Sequence, residues 1–117
     1  MLLVALVTSC SKPTASEVPG QYQAKRGYGI ETLHLRPDGT YDQVFMSAET
    51  NRTNSGRWKF DAERPSVCLY DALMFDDGFG RQVSLIETSA WSLRVEKFAG
   101  EITLPFGESE SFKKQKP

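Results

Sequence analysis

From Gly20 onward the chain is built of short runs that alternate apolar and polar residues, separated by turn residues, and no stretch carries a helical period of comparable length. The best runs are 30–35, 40–46, 56–60, 66–70, 81–86, 90–98 and 101–105, with weaker ones at 21–25 and 111–115. The alternation assigns faces. Trp58 and Phe60 lie on one side of their run, Arg57 and Lys59 on the other. Trp91, Leu93 and Val95 oppose Ser92, Arg94 and Glu96 in the same way. Between 35 and 40, Arg36-Pro37-Asp38-Gly39-Thr40 is a tight turn. Pro37 presets its own φ, Asp38 offers an acceptor to nearby amides, and Gly39 supplies a positive φ. Polar residues 49–55 read as a connection, and Pro65 bounds the run that follows.

About eight short strands with regularly spaced turns predict an all-β sandwich or barrel. Because nearly every connection is short, sequence neighbours should pair as an antiparallel meander. Closing that meander, fully or nearly, removes its exposed edges.

The N-terminus reads differently. An apolar stretch, Leu2 to Val7, leads into Val7-Thr8-Ser9-Cys10, and the composition then turns polar at Ser11-Lys12-Pro13-Thr14. An aliphatic residue, two small residues and a cysteine resemble a bacterial lipobox, in which the cysteine receives lipid. No Lys or Arg precedes Cys10, and the apolar segment is short for a secretory leader. The expectation is a signal peptide over 1–9, cut short at its start, a lipidated Cys10 with a flexible tether over 10–19, and a β-barrel domain over 20–117, the alternative being an accidental apolar N-terminus of a cytosolic protein. Two prolines and no periodicity make 11–19 an extended, mobile linker on this reading. Ser11 after the cysteine resembles outer-membrane sorting, facing the periplasm. No other stretch approaches the length of a membrane-spanning helix.

A formal net charge of −1 excludes a global electrostatic attraction to nucleic acid. The basic tail Lys113-Lys114-Gln115-Lys116 reads as solvated, with contact to anionic headgroups as the alternative.

Several runs together carry a family resemblance. Val18-Pro19-Gly20-Gln21-Tyr22, Gly29-Ile30-Glu31-Thr32-Leu33-His34-Leu35, Asp38-Gly39-Thr40-Tyr41 and Gly56-Arg57-Trp58 resemble lipocalin-like small bacterial envelope lipoproteins. More loosely, they resemble the N-terminal barrel of the copper-stress lipoprotein family. The resemblance implies a meander barrel of lipocalin-like type. It covers about residues 18–60, and its motifs are turn and strand chemistry, so it bears on fold more than on function. The Cys-x-x-Cys that the copper-stress family carries before its second strand has no counterpart here, so no metal or redox role comes with it.

Candidate chemistry is sparse. His34 is the single histidine, so a Ser–His–Asp site has to use it. It alternates with Leu33 and Leu35 and so reads as an ordinary polar-face histidine. Histidine pairs for a metal are excluded. Asp71, Asp76 and Asp77 do not follow the spacing of a calcium loop, and Asn51-Arg52-Thr53 is a sequon by coincidence. Cys68, within Ser66-Val67-Cys68-Leu69-Tyr70, reads as a small buried hydrophobe. Tyr22, Tyr41, Phe45, Trp58, Phe60, Tyr70 and Trp91 form a core, or else line a ligand cavity. The segment 71–80 stands out, because Leu73, Met74, Phe75 and Phe79 are too apolar for an ordinary loop and Asp76 and Asp77 too polar for a core. It is either a lid folded over one barrel end or an exposed contact surface for a partner or ligand.

These readings converge on a non-enzymatic, lipid-anchored envelope lipoprotein with no cofactor, acting as a structural or interaction module. A carrier of a small hydrophobic ligand is the first alternative, and a hydrolase using His34 with a loop aspartate is the second.

Overall fold

The computed structural model describes residues 12–26, 29–48, 51–76, 84–87, 89–106 and 111–116, and of 26, 74–76 and 84–87 the backbone alone. Its strands are β1 (Gly20–Arg26), β2 (Gly29–Leu35), β3 (Thr40–Met46), β4 (Asn51–Asp61), β5 (Ser66–Tyr70), β6 (Leu73–Asp76), β7 (Ser84–Glu87), β8 (Ala90–Arg94), β9 (Glu96–Phe98), β10 (Glu101–Pro105) and β11 (Ser111–Lys114). Nine of them form one antiparallel sheet in the order β8-β5-β4-β3-β2-β1-β11-β10-β9, and β6 pairs separately with β7.

The two outer strands of that order are neighbours in sequence. β8 and β9 are halves of one run, broken at Val95. The first half pairs with β5 and the second with β10. At the break the Val95 amide donates to the Pro65 carbonyl at 2.8 Å. One strand that changes partner midway thus curls the sheet into a nearly closed meander barrel. The break also explains why the barrel sheet has nine strands where about eight are expected.

Strand alternation decides what fills the barrel. Tyr22, Leu33, Leu35, Tyr41, Phe45, Leu69, Leu104 and Phe112 all point inward and are fully buried. Each buried side chain of this size contributes roughly 1.5–3 kcal/mol relative to exposure. Trp91 meets Phe112 and Phe106 edge-on, with ring centroids 6.2 and 6.3 Å apart. Gly56 makes room for the Tyr41 ring. A Cβ there would lie 2.8 Å from the Tyr41 ring, which crosses over the glycine from the neighbouring strand.

The 36–40 turn forms as read. Gly39 has φ +90°, its amide donates to the Arg36 carbonyl at 3.1 Å, and Asp38 Oδ1 accepts from the Thr40 amide at 3.0 Å. A tighter turn joins β9 to β10. Ala99 and Gly100, at φ +53° and +82°, form the two-residue connection that right-handed strand twist favours.

Three expectations change. β4 begins at Asn51, so 51–55 are strand and not connection. They continue the ladder with β3, Met46 opposite Asn51 and Val44 opposite Thr53, while their side chains stay largely solvated. Such a strand shows no apolar alternation to read. The segment 71–80 is not a loop throughout, because Leu73 to Asp76 form β6. And from Lys12 the tether does not run free. Ala15–Glu17 form a 3₁₀ turn, Pro13 is buried, and Val18 is completely buried in the barrel core.

Candidate functional site

Two polar constellations at opposite ends of the barrel are the most organised features of the described residues. At the end where β1 begins, the 3₁₀ turn lies across the opening. The Glu17 amide donates to the Thr14 carbonyl at 3.0 Å, and the Thr14 amide donates back to Glu17 Oε1 at 2.9 Å. The other carboxylate oxygen of Glu17 meets Lys97 Nζ of β9 at 2.6 Å. This bond to Lys97 is the largest reason the Glu17 carboxyl is held at about 2, and the Thr14 amide adds to it. Lys114 Nζ of β11 donates to the Glu17 carbonyl. The Tyr22 hydroxyl donates to the Val18 carbonyl at 2.6 Å from inside the barrel, and burial pushes its phenol upward. Three strands therefore grip residues 14–18.

Beside this segment lies an open groove of about 770 Å³ between the 3₁₀ turn and the 36–40 turn. Ala15, Ser16, Pro19, Pro37, Trp58 and Phe60 line it. Trp58 is fixed there by its indole N–H, which donates to the Arg36 carbonyl at 2.9 Å.

At the opposite end Gln43 is fully buried. Its Nε2 donates to the Leu73 carbonyl at 2.8 Å, and its Oε1 accepts from the Leu73 amide at 2.9 Å and from Asn54 Nδ2 at 2.8 Å. Asn54 also donates to the Asp71 carbonyl at 3.0 Å, and the Tyr41 hydroxyl to the Tyr70 carbonyl at 2.7 Å. Burial is the main reason the Tyr41 phenol is pushed up to about 12. One glutamine thus pairs with both backbone groups of Leu73 and ties the start of β6 to the barrel. Glu31, also fully buried, stands on β2 between Ala24 and Phe45 of the flanking strands.

The residues singled out from the sequence fall as follows. Leu73 is half-buried at this second end. The side chains of Met74, Phe75 and Asp76, and the whole of Asp77 and Phe79, lie outside the described residues. Cys10 lies outside them as well. Cys68 corrects its expectation. Val67 and Leu69 take the inward positions, so Cys68 faces outward and is half-buried, opposite Lys59 and Ser92. Its sulfur is the first cause of a raised Tyr70 phenol.

His34 is exposed on the outer face of β2, opposite Asp42, and Asp42 is opposite Ser55. The order is wrong for a proton relay. Ser55 Oγ donates directly to Asp42 Oδ1 at 2.8 Å, and Arg36 binds the other carboxylate oxygen. These two bonds hold the Asp42 carboxyl below its ordinary range. The Asp42 carboxylate, held below its ordinary range, is a poor base for that serine, and a Ser–His–Asp relay needs histidine between the two. Among the described residues no group of three or more His, Cys, Asp or Glu side chains is placed to hold a metal ion.

Neither constellation shows in the local pattern of the chain. Gln43 and Glu17 are polar residues whose partners lie 30 and 80 positions away. Comparison with known protein families, with curated proteins and with solved structures finds no match to this chain.

Proposed function

We propose that this chain is a non-enzymatic, lipid-anchored module of a bacterial cell envelope, held through Cys10 at a membrane surface and acting by contact. The observation that carries the reading is the barrel interior. Tyr22, Tyr41, Phe45 and Phe112 fill it, Val18 enters it from one end, and Gln43 binds the cover at the other. A carrier needs an interior void in which to enclose its ligand. An enzyme needs an activated group, and His34, Asp42 and Ser55 are arranged without one. These observations favour a body that acts through its surfaces. The lipobox-like run at 7–10 and the resemblance to envelope lipoproteins support an envelope location, and Ser11 after Cys10 favours the outer membrane facing the periplasm.

Within this reading the segment from Leu73 through Met74, Phe75, Asp76 and Asp77 to Phe79 is the contact surface for a protein partner. Stable anchoring takes more than one acyl chain, at about 0.8 kcal/mol per buried CH₂. Cys10→Ala is therefore expected to move the protein from the membrane to the soluble fraction and to abolish incorporation of labelled palmitate. Unchanged fractionation and labelling of that variant would refute the proposal.

A further inference from the structure

Which end of the barrel faces the bilayer is set by the gripped segment. Cys10 and the buried Pro13 are three peptide units apart, a reach of at most about 11 Å. The headgroup region of one leaflet is itself roughly 5–8 Å thick. A lipid on Cys10 thus leaves the barrel no room to stand off from the surface, because residues 14–18 are held by Lys97, Lys114 and Tyr22.

The same end carries one strongly exposed apolar side chain. Phe98, at 68% exposure, is the most exposed large hydrophobic side chain among the described residues. It follows Lys97 directly and sits at the tip of the β9–β10 hairpin, where Ala99 and Gly100 turn the chain at positive φ. The groove lined by Pro37, Trp58 and Phe60 opens beside the gripped segment on this end. A gripped segment that begins three peptide units after Cys10, an exposed aromatic tip and an apolar groove at one pole form the pattern of a surface that meets an interface.

We propose that this pole is a membrane-contact face and that the Phe98 hairpin tip enters the headgroup–acyl boundary of the bilayer to which Cys10 is anchored. The inference rests on the anchoring proposed above and adds an orientation. The barrel stands upright with β6 and β7 away from the membrane.

The test uses the full-length acylated protein in phosphatidylcholine vesicles whose acyl chains are brominated near the headgroup. Phe98→Trp places a fluorophore at the tip, and Met46→Trp places one at an exposed position on the opposite end. With the wild-type emission subtracted, the signal added by F98W is expected to fall by half or more relative to unbrominated vesicles, while that added by M46W is unchanged. Equal quenching of both, or quenching of neither, in protein whose intact mass shows the acyl chains would overturn the orientation and leave the anchoring standing. An intact mass without acyl chains would overturn the anchoring, and the orientation with it.

Discussion

Where β1 begins, the barrel is closed by an apolar residue and an ion pair. Val18 is fully buried, and Glu17 reaches across to Lys97. Where β3 and β4 run on past the core, it is closed by amides. Gln43 and Asn54 satisfy the backbone of residues 71 and 73. The two solutions fail differently. An apolar stopper loses roughly its transfer energy when trimmed, whereas a buried amide that holds backbone groups leaves donors and acceptors unsatisfied when removed. The second end should therefore be the more costly to damage, although its residues are the more polar.

Gln43→Ala is the largest expected effect. It strips partners from the Leu73 amide and carbonyl and from Asn54, and it opens a void, for a loss of about 3 kcal/mol in urea unfolding. Amide exchange in β6 and β7 should accelerate while the Glu17 amide stays protected. Val18→Ala does the reverse. It removes two carbons from a fully buried site, about 1.5 kcal/mol or more. It should free the Glu17 amide and leave β6 unchanged. If either variant loosens both ends equally, the ends are not independent. Gly39→Val lies near the first end and forces a β-branched residue to φ +90°, so a loss of about 1–2 kcal/mol is expected by thermal melting.

Glu17→Gln is the smallest and depends on pH. The folded state holds this carboxyl at about 2, against an ordinary value of 4.5. Its contribution is present in full above the ordinary value and is lost as pH falls toward 2. For a partly exposed pair the loss is about 1 kcal/mol or less. Wild type should exceed E17Q in stability at pH 6, and the two should converge near pH 2. A difference independent of pH would remove the ion pair from the account.

The contrast between the ends also explains what the chain alone disclosed. The strands from 30 to 46 were legible because each pairs with its sequence neighbour through a turn whose residues, Pro37, Asp38 and Gly39, have a local mechanism. Alternation assigned Leu93 and Val95 inward and Arg94 and Glu96 outward, as found. Residues 51–55 were missed because a strand with solvated side chains shows no apolar period. Val18 was missed because one apolar residue among Ser, Glu and Pro makes no pattern, and its burial depends on a barrel mouth built by strands far along the chain. Gln43 occupies an inward position on a strand whose alternation otherwise reads Tyr41, Phe45, and only the arrival of Leu73 makes a glutamine suitable there. The strand break at Val95 is a consequence of closure, which no local signal carries.

The most direct test of the account is whether residues 14–18 are part of the barrel. A zero-length carbodiimide joins a carboxylate to an amine only when the two are in contact, as Glu17 and Lys97 Nζ are at 2.6 Å. Treatment of the dilute full-length protein, followed by peptide mass analysis, should give a Glu17–Lys97 isopeptide as the dominant link from Glu17, absent in Lys97→Met. Links from Glu17 spread over Lys25, Lys59 and Lys113 instead, with no preference for Lys97, would show a free tether and contradict the gripped, oriented anchor.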